Sequence, residues 1–240
     1  MPIGEIETHP YLELGIIPDS NKLILGSFPV YNVADPDNVL KQQNREINGA
    51  FRFFYGSHHS SLWSLYKEFV DPDLPNPFTT HEILSSLGSF KISISDLIKE
   101  TERNGYSALD TDLINKVWNI KFLKELIVRS NIDTILCTSK FVLKNLEIRI
   151  VNSNNFGALD LESSILFQNQ FINAINGNLE NVTNPIARVF RVGNRSIKCV
   201  AIPSPGSPYR KLDAFGFDNG DRFDYATNYF SAAFNLLINN

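Results

Sequence analysis

The chain has 240 residues, 43% of them hydrophobic, a formal net charge of -4 and two cysteines. That is enough apolar material for one well-filled core. The negative balance excludes a global basic field of the kind that drives indiscriminate nucleic-acid binding, while leaving room for a local basic strip. Cys137 and Cys199 both lie in apolar, strand-like runs and are expected as buried reduced thiols. Two thiols also fall short of the four ligands of an iron–sulfur cluster. No apolar run approaches the length of a membrane span and the first residues lack a signal-peptide pattern, so a monomeric cytoplasmic protein with no membrane partner is expected.

In chain order, Lys22–Gly26 (KLILG) reads as a buried strand ending in the turn Gly-Ser-Phe-Pro. A polar loop over 31–49 follows. The stretch FFYGSHHSSLWSLYKEF, Phe53 to Phe69, opens with a Ser/His cluster and continues with the apolar spacing of a half-buried helix. Pro72, Pro75 and Pro77 interrupt the chain before His81–Leu87. The spacing predicts a helix over Asp96–Thr101, with Asp96 as its N-cap, and another over Asp112–Arg129. Thr134–Cys137 (TILC) is a second buried strand, followed by Thr138-Ser139-Lys140 and a helix through Leu146. Residues 151–184, rich in Asn and Gln, are expected to form an irregular insertion in a single domain spanning 1–240. A hairpin around Gly193-Asn194 joins Arg188–Val192 to Ile197–Ile202. Its second strand runs into Pro203-Ser204-Pro205-Gly206-Ser207-Pro208, and an amphipathic helix closes the chain over Tyr225–Ile238.

Short buried strands alternating with helices predict an α/β fold with a mainly parallel central sheet covered on both faces. In such sheets ligands lie beyond the C-terminal strand ends. Three strand ends carry turn chemistry here: GSFP, CTSK and IPSPGSP. His58 and His59 have the titration range of an acid or base, or they simply flank a helix start capped by Ser60 or Ser61. Ser204, Gly206 and Ser207 sit in a proline-rigidified loop whose amides and hydroxyls suit a phosphate, with Tyr209, Arg210 and Lys211 adding a ring and two cations. No cluster has metal-ligand spacing, and neither metal nor cofactor is expected.

At these residues the sequence resembles the uracil-DNA glycosylase superfamily, closest to its hypoxanthine-DNA glycosylase branch. LILGSFPV resembles that branch's first motif, a strand followed by Gly-x-x-Pro-Gly. Tyr55-Gly56-Ser57-His58-His59-Ser60-Ser61-Leu62-Trp63 resembles its Tyr-to-Trp block. ISISDLIKETERNGYSALDTDLI matches a third stretch at Asp96, Arg103, Gly105, Asp110 and Ile114, and IPSPGSPYRK resembles the closing Leu-Pro-Ser-x-Ser-Pro loop. The resemblance covers about Lys22 to Lys211 without the Asn-rich region. It implies a three-layer α/β/α sandwich that recognises a flipped-out, damaged or deaminated base of uracil or hypoxanthine type, in damaged or single-stranded DNA or as a nucleotide. The implied base pocket is Gly26, Ser27, Phe28, Pro29, Tyr55 and Thr138. The family's reacting side chains are replaced: Ser60 stands at the catalytic Asn, Phe28 at the water-positioning Asp or Asn, Val30 at a Gly, and Ile202 at the His of several branches. Excision would then fall to His58, His59 or Ser60 without a metal; the alternative is a catalytically silent nucleic-acid or nucleotide-binding module.

Overall fold

The computed structural model describes residues 6–30, 51–57, 59–104 and 109–238. Its centre is a six-stranded, mostly parallel sheet. β2 (Lys22–Gly26) pairs in parallel with β3 (Ile92–Asp96) on one side and β6 (Thr134–Cys137) on the other, and β6 pairs in parallel with β9 (Arg195–Ala201). β8 (Ala187–Val192) returns antiparallel to β9, and the two-residue β7 (Ala158–Leu159) closes that edge. Every residue of β2, β3 and β6 is buried. Both faces of these strands are therefore covered, which explains their continuous apolar runs where a half-exposed strand would alternate.

Helices fill the connections. α1 (Leu62–Phe69) and α2 (Thr80–Ser89) lie between β2 and β3; α3 (Ile120–Arg129) precedes β6; α4 (Lys140–Asn145) follows it and runs on as a wider turn over Leu146–Val151. α5 (Leu161–Ala174) packs on β8, and α6 (Arg222–Ile238) packs on β6 and α1. Phe69 of α1 stacks on Phe234 of α6 at 6.3 Å. Among the described residues no helix is long and apolar enough to cross a membrane.

Two expectations change. Asp96–Thr101 is not a helix: β3 ends at Asp96, and the chain turns at Leu97 into β4 (Ile98–Arg103). Asp112–Arg129 is not one helix either; its first half is β5 (Leu113–Trp118), and α3 begins only after Asn119. β1 (Ile6–Thr8), β4 and β5 form a separate antiparallel sheet in the order β1-β4-β5. Long-range pairing overrides the local helical spacing there. Residues 151–184, expected to be irregular, contain the fourteen-residue α5 and the edge strand β7. Their periodicity is weak because α5 exposes Leu161, Ile165 and Leu166 and buries Ser164. The loop over 31–49 lies outside the described residues.

A buried ion pair braces the small sheet and reaches the loop after β2. Arg103 of β4 makes a two-pronged ion pair with Glu7 of β1, Nε to Oε1 at 3.0 Å and Nη2 to Oε2 at 3.2 Å, and also donates to the Pro29 carbonyl at 2.8 Å. Both ion-pair partners are buried. Removing one member leaves an uncompensated buried charge, so Arg103→Met should lower the unfolding free energy by about 3–5 kcal/mol. Adding Glu7→Met to that variant should recover much of the loss in urea unfolding.

Candidate functional site

The registers Gly26↔Asp96, Leu25↔Cys137 and Cys137↔Ala201 set the C-terminal ends of the four parallel strands at nearly one level. From β2 the chain moves outward to β3, then crosses back to β6 and β9, so the order reverses between β2 and β6. Loops leaving those two strands diverge and open a crevice. A cavity of about 540 Å³ occupies it, lined by Ser27, Phe28, Pro29 and Val30 after β2, Asp96 at the end of β3, and Thr138 and Ser139 after β6. Tyr55, Ser57, His59 and Ser60, then Ser204, Pro205, Gly206, Ser207 and Arg210, and finally Asp110 complete it.

Asp96 forms the floor and is 2% exposed. Its Oδ2 lies 2.9 Å from His9 Nε2, and His9 Nδ1 accepts the Tyr11 backbone N–H at 3.0 Å. An Nδ1 that accepts leaves Nε2–H as the donor, so the imidazole orients the carboxylate. Among the described residues Asp96 Oδ1 has no hydrogen-bond partner, and the atom is enclosed. Gly26, opposite Asp96, makes room for that oxygen: a Cβ on Gly26 would overlap both Asp96 Oδ1 and the Tyr55 hydroxyl.

Tyr55 has φ +55°, a left-handed conformation uncommon outside glycine, and its hydroxyl donates to Thr138 Oγ1 at 2.6 Å. Burial, with Asp96 adding to it, raises the phenol well above its usual range. The segment is pinned from behind by Trp63 Nε1, which donates to the Phe54 carbonyl at 2.8 Å. Phe28 is 8% exposed; its ring meets His9 edge-on at 5.5 Å and lies 5.8 Å from the Arg103 guanidinium. It therefore both packs beneath its loop and lines the cavity.

The Ser/His run sits at the rim. His59 is exposed and Ser60 half-buried. Ser60 Oγ accepts the Leu62 N–H at 3.3 Å, and the Ser61 N–H donates to the Pro205 carbonyl at 2.9 Å. These two contacts cap α1 and tie it to the last loop, leaving those amides engaged. His58 lies outside the described residues, as does Gly105. In the last loop the Ser207 N–H is donated to Ser204 O at 2.8 Å, so that expected anion donor is committed to a turn. Arg210 reaches the rim. Tyr209 and Lys211 do not line the cavity: Tyr209 packs on Phe223 at 4.8 Å, and Lys211 borders a separate depression with Asp213 and Asp218. Ser139 caps α4 by accepting from Val142 N–H at 3.2 Å.

Sequence reasoning assigned no role to His9, and to Asp96 a motif match and a helix cap in support of the pocket. A strand ended by a carboxylate, ISISD, was the available signal for Asp96; a lone His before Pro10 gave none for His9. Asp110 was visible only as a motif match. Among the described residues no group of three or more His, Cys, Asp or Glu is arranged to hold a metal. No family model matches the chain, and no curated protein matches it.

Asp110 and Ser27 line the cavity together. Burial raises the Asp110 carboxyl above the ordinary value; Ser27 opposes the rise, Asp96 adds to it, and Lys116 and Arg103 oppose it. The folded protein thus holds this proton more tightly than the unfolded chain. The resulting stabilisation is present below the unfolded carboxyl value and lost as pH rises through the raised one. Measured against Asp110→Asn, wild-type stability should decline across that window in thermal melts. Gly26→Ala should displace Asp96 and Tyr55 and lower stability by about 1–3 kcal/mol, with near-ultraviolet circular dichroism reporting the change around Tyr55.

Proposed function

We propose that this cavity receives a nucleobase rotated out of a nucleic-acid strand, on a uracil-DNA glycosylase-like three-layer scaffold, and that the protein hydrolyses the N-glycosidic bond of a damaged or unusual base. The observation that carries the reading is the convergence of three sequence-distant segments, Ser27–Val30, Tyr55–Ser60 and Ser204–Ser207, on one cavity at the crossover of a parallel sheet. Its volume of about 540 Å³ lies in the range of small-molecule sites and has room for a base with its sugar. Phe28 and Tyr55 offer ring surfaces, Thr138 and Asp96 offer edge polarity, and Arg210 offers a cation where a strand backbone would pass. His59 and Ser60, at the mouth, sit where the sugar and an attacking water would lie when the base is on the floor.

A second reading, binding without cleavage, is favoured by one contact: the Ser60 hydroxyl accepts from the Leu62 amide, and Phe28 can neither orient nor activate water. Strands carrying single deaminated or ring-methylated bases test both readings by fluorescence anisotropy and by chromatography of released base. Arg210→Ala should weaken every strand alike and lower the salt slope by about 1. An excising enzyme should lose release in His59→Ala or Ser60→Ala while still binding; a silent module should bind and release nothing. Absence of binding to any strand, or binding unchanged by Val30→Trp, which places an indole in the cavity, would defeat the proposal.

A further inference from the structure

The small sheet contributes one side chain to the cavity. Asp110 opens the short turn Asp110–Asp112 that leads into β5, and the Asn104 N–H, just beyond β4, donates to the Asp112 carbonyl at 2.8 Å. The paired strands β4 and β5 thus hold the turn, and Asp110, half-buried, lines the cavity together with Ser27 of the loop after β2.

Cutting an uncharged base from its sugar is eased by a proton for the departing ring. Few of the described side chains lining the cavity can give one near neutral pH. Serine, threonine and tyrosine hydroxyls hold their protons too tightly, and burial raises the Tyr55 phenol further. Arg210 does not deprotonate. His59 is exposed at the rim. Asp96 has one oxygen on His9 and the other enclosed. Asp110 is the remaining acid. Burial raises its carboxyl above the ordinary value against the opposition of Ser27; Asp96 adds to the rise, and Lys116 and Arg103 oppose it. Both cations are engaged elsewhere, Lys116 with the Leu113 carbonyl and Arg103 with Glu7.

A carboxylic acid also selects what it can protonate. Uracil offers only weakly basic carbonyl oxygens, whereas a purine carries basic ring nitrogens at its edge. We infer that Asp110 is the catalytic acid of this cavity and that the base it helps to release is a neutral purine, protonated on a ring nitrogen as it leaves. This rests on the reading of the cavity as a site of base excision, and deepens it by naming a residue and a class of base. Water oxygen bonds to C1′, and the C1′–N bond breaks with its electron pair passing to the purine, which takes the proton of Asp110. The water's proton goes to solvent, and solvent reprotonates the Asp110 carboxylate. Asp110 starts the step protonated, so release is fastest at acid pH and falls as pH rises through its carboxyl value.

The test follows single-turnover release across pH from strands carrying hypoxanthine, a neutral purine, or 7-methylguanine, whose positive ring leaves without a proton. Wild-type release of hypoxanthine should fall with rising pH, and that of 7-methylguanine should not. Asp110→Asn should slow hypoxanthine release by about 100- to 10,000-fold and flatten its pH profile, while 7-methylguanine release stays within a few fold. A merely structural role would slow both bases alike. Equal slowing of the two, unchanged hypoxanthine release in the variant, or a wild-type hypoxanthine profile that does not fall overturns the inference and leaves base excision standing. Wild type that binds the strands and releases neither base overturns excision as well, and leaves the silent module. Wild type that binds neither strand ends the base-site reading. Should Asp110→Asn not fold, the two wild-type profiles decide, and parallel profiles overturn the inference.

Discussion

A buried carboxylate fixed through one oxygen by a histidine organises this molecule's concave face. Asp96 closes β3, and His9 reaches it from the segment just after β1, in the neighbouring sheet. The contact therefore needs both sheets in place. The Glu7–Arg103 pair and the Arg103 bond to Pro29 join β1, β4 and the loop after β2 on the same side. Gly26 completes the constraint by leaving no side chain where Asp96 and Tyr55 converge. Were any of these displaced, Asp96 and Tyr55 would shift together and the closed end of the cavity would change shape.

Depth sorts the remaining residues. Asp96 and Thr138 are buried, while His59, Ser204, Gly206 and Arg210 are exposed. Groups that recognise a flat ring belong at the closed end, where water is excluded and a hydrogen bond discriminates most. Groups that meet a backbone belong at the open end, where a long cation keeps its hydration until contact. The link from Ser61 N–H to the Pro205 carbonyl holds the two rim segments together, so the mouth is set by backbone bonding as well as by side chains.

Buried parallel strands were easy to read because their apolar runs are continuous: KLILG and TILC fall on β2 and β6 with their bounds intact. The turns after them, and the proline-rich loop after β9, were legible for the same reason, since a buried strand must end in something that reverses the chain. The site's floor was not legible. DLIKET carries helical spacing, and only pairing with β1 and β5, distant in sequence, makes it a strand. His9 lies 87 positions from Asp96, and no local pattern announces such a contact. Tyr209, read as a ring beside the proline-rich loop, packs on Phe223 of α6, a contact that no local pattern announces either.

A histidine beside an aspartate is often treated as a self-neutralising pair, and the conclusion depends on the second ring nitrogen. Here the Tyr11 amide occupies Nδ1 as a donor, which leaves the ring only one proton to share. Protonating Nδ1 would set N–H against N–H at 3.0 Å in a buried location, so the backbone fixes which ring nitrogen faces Asp96. A chain of modest net negative charge thus sets two carboxyl side chains, Asp96 and Asp110, at one cavity. Local placement, more than the overall balance of -4, governs what can enter.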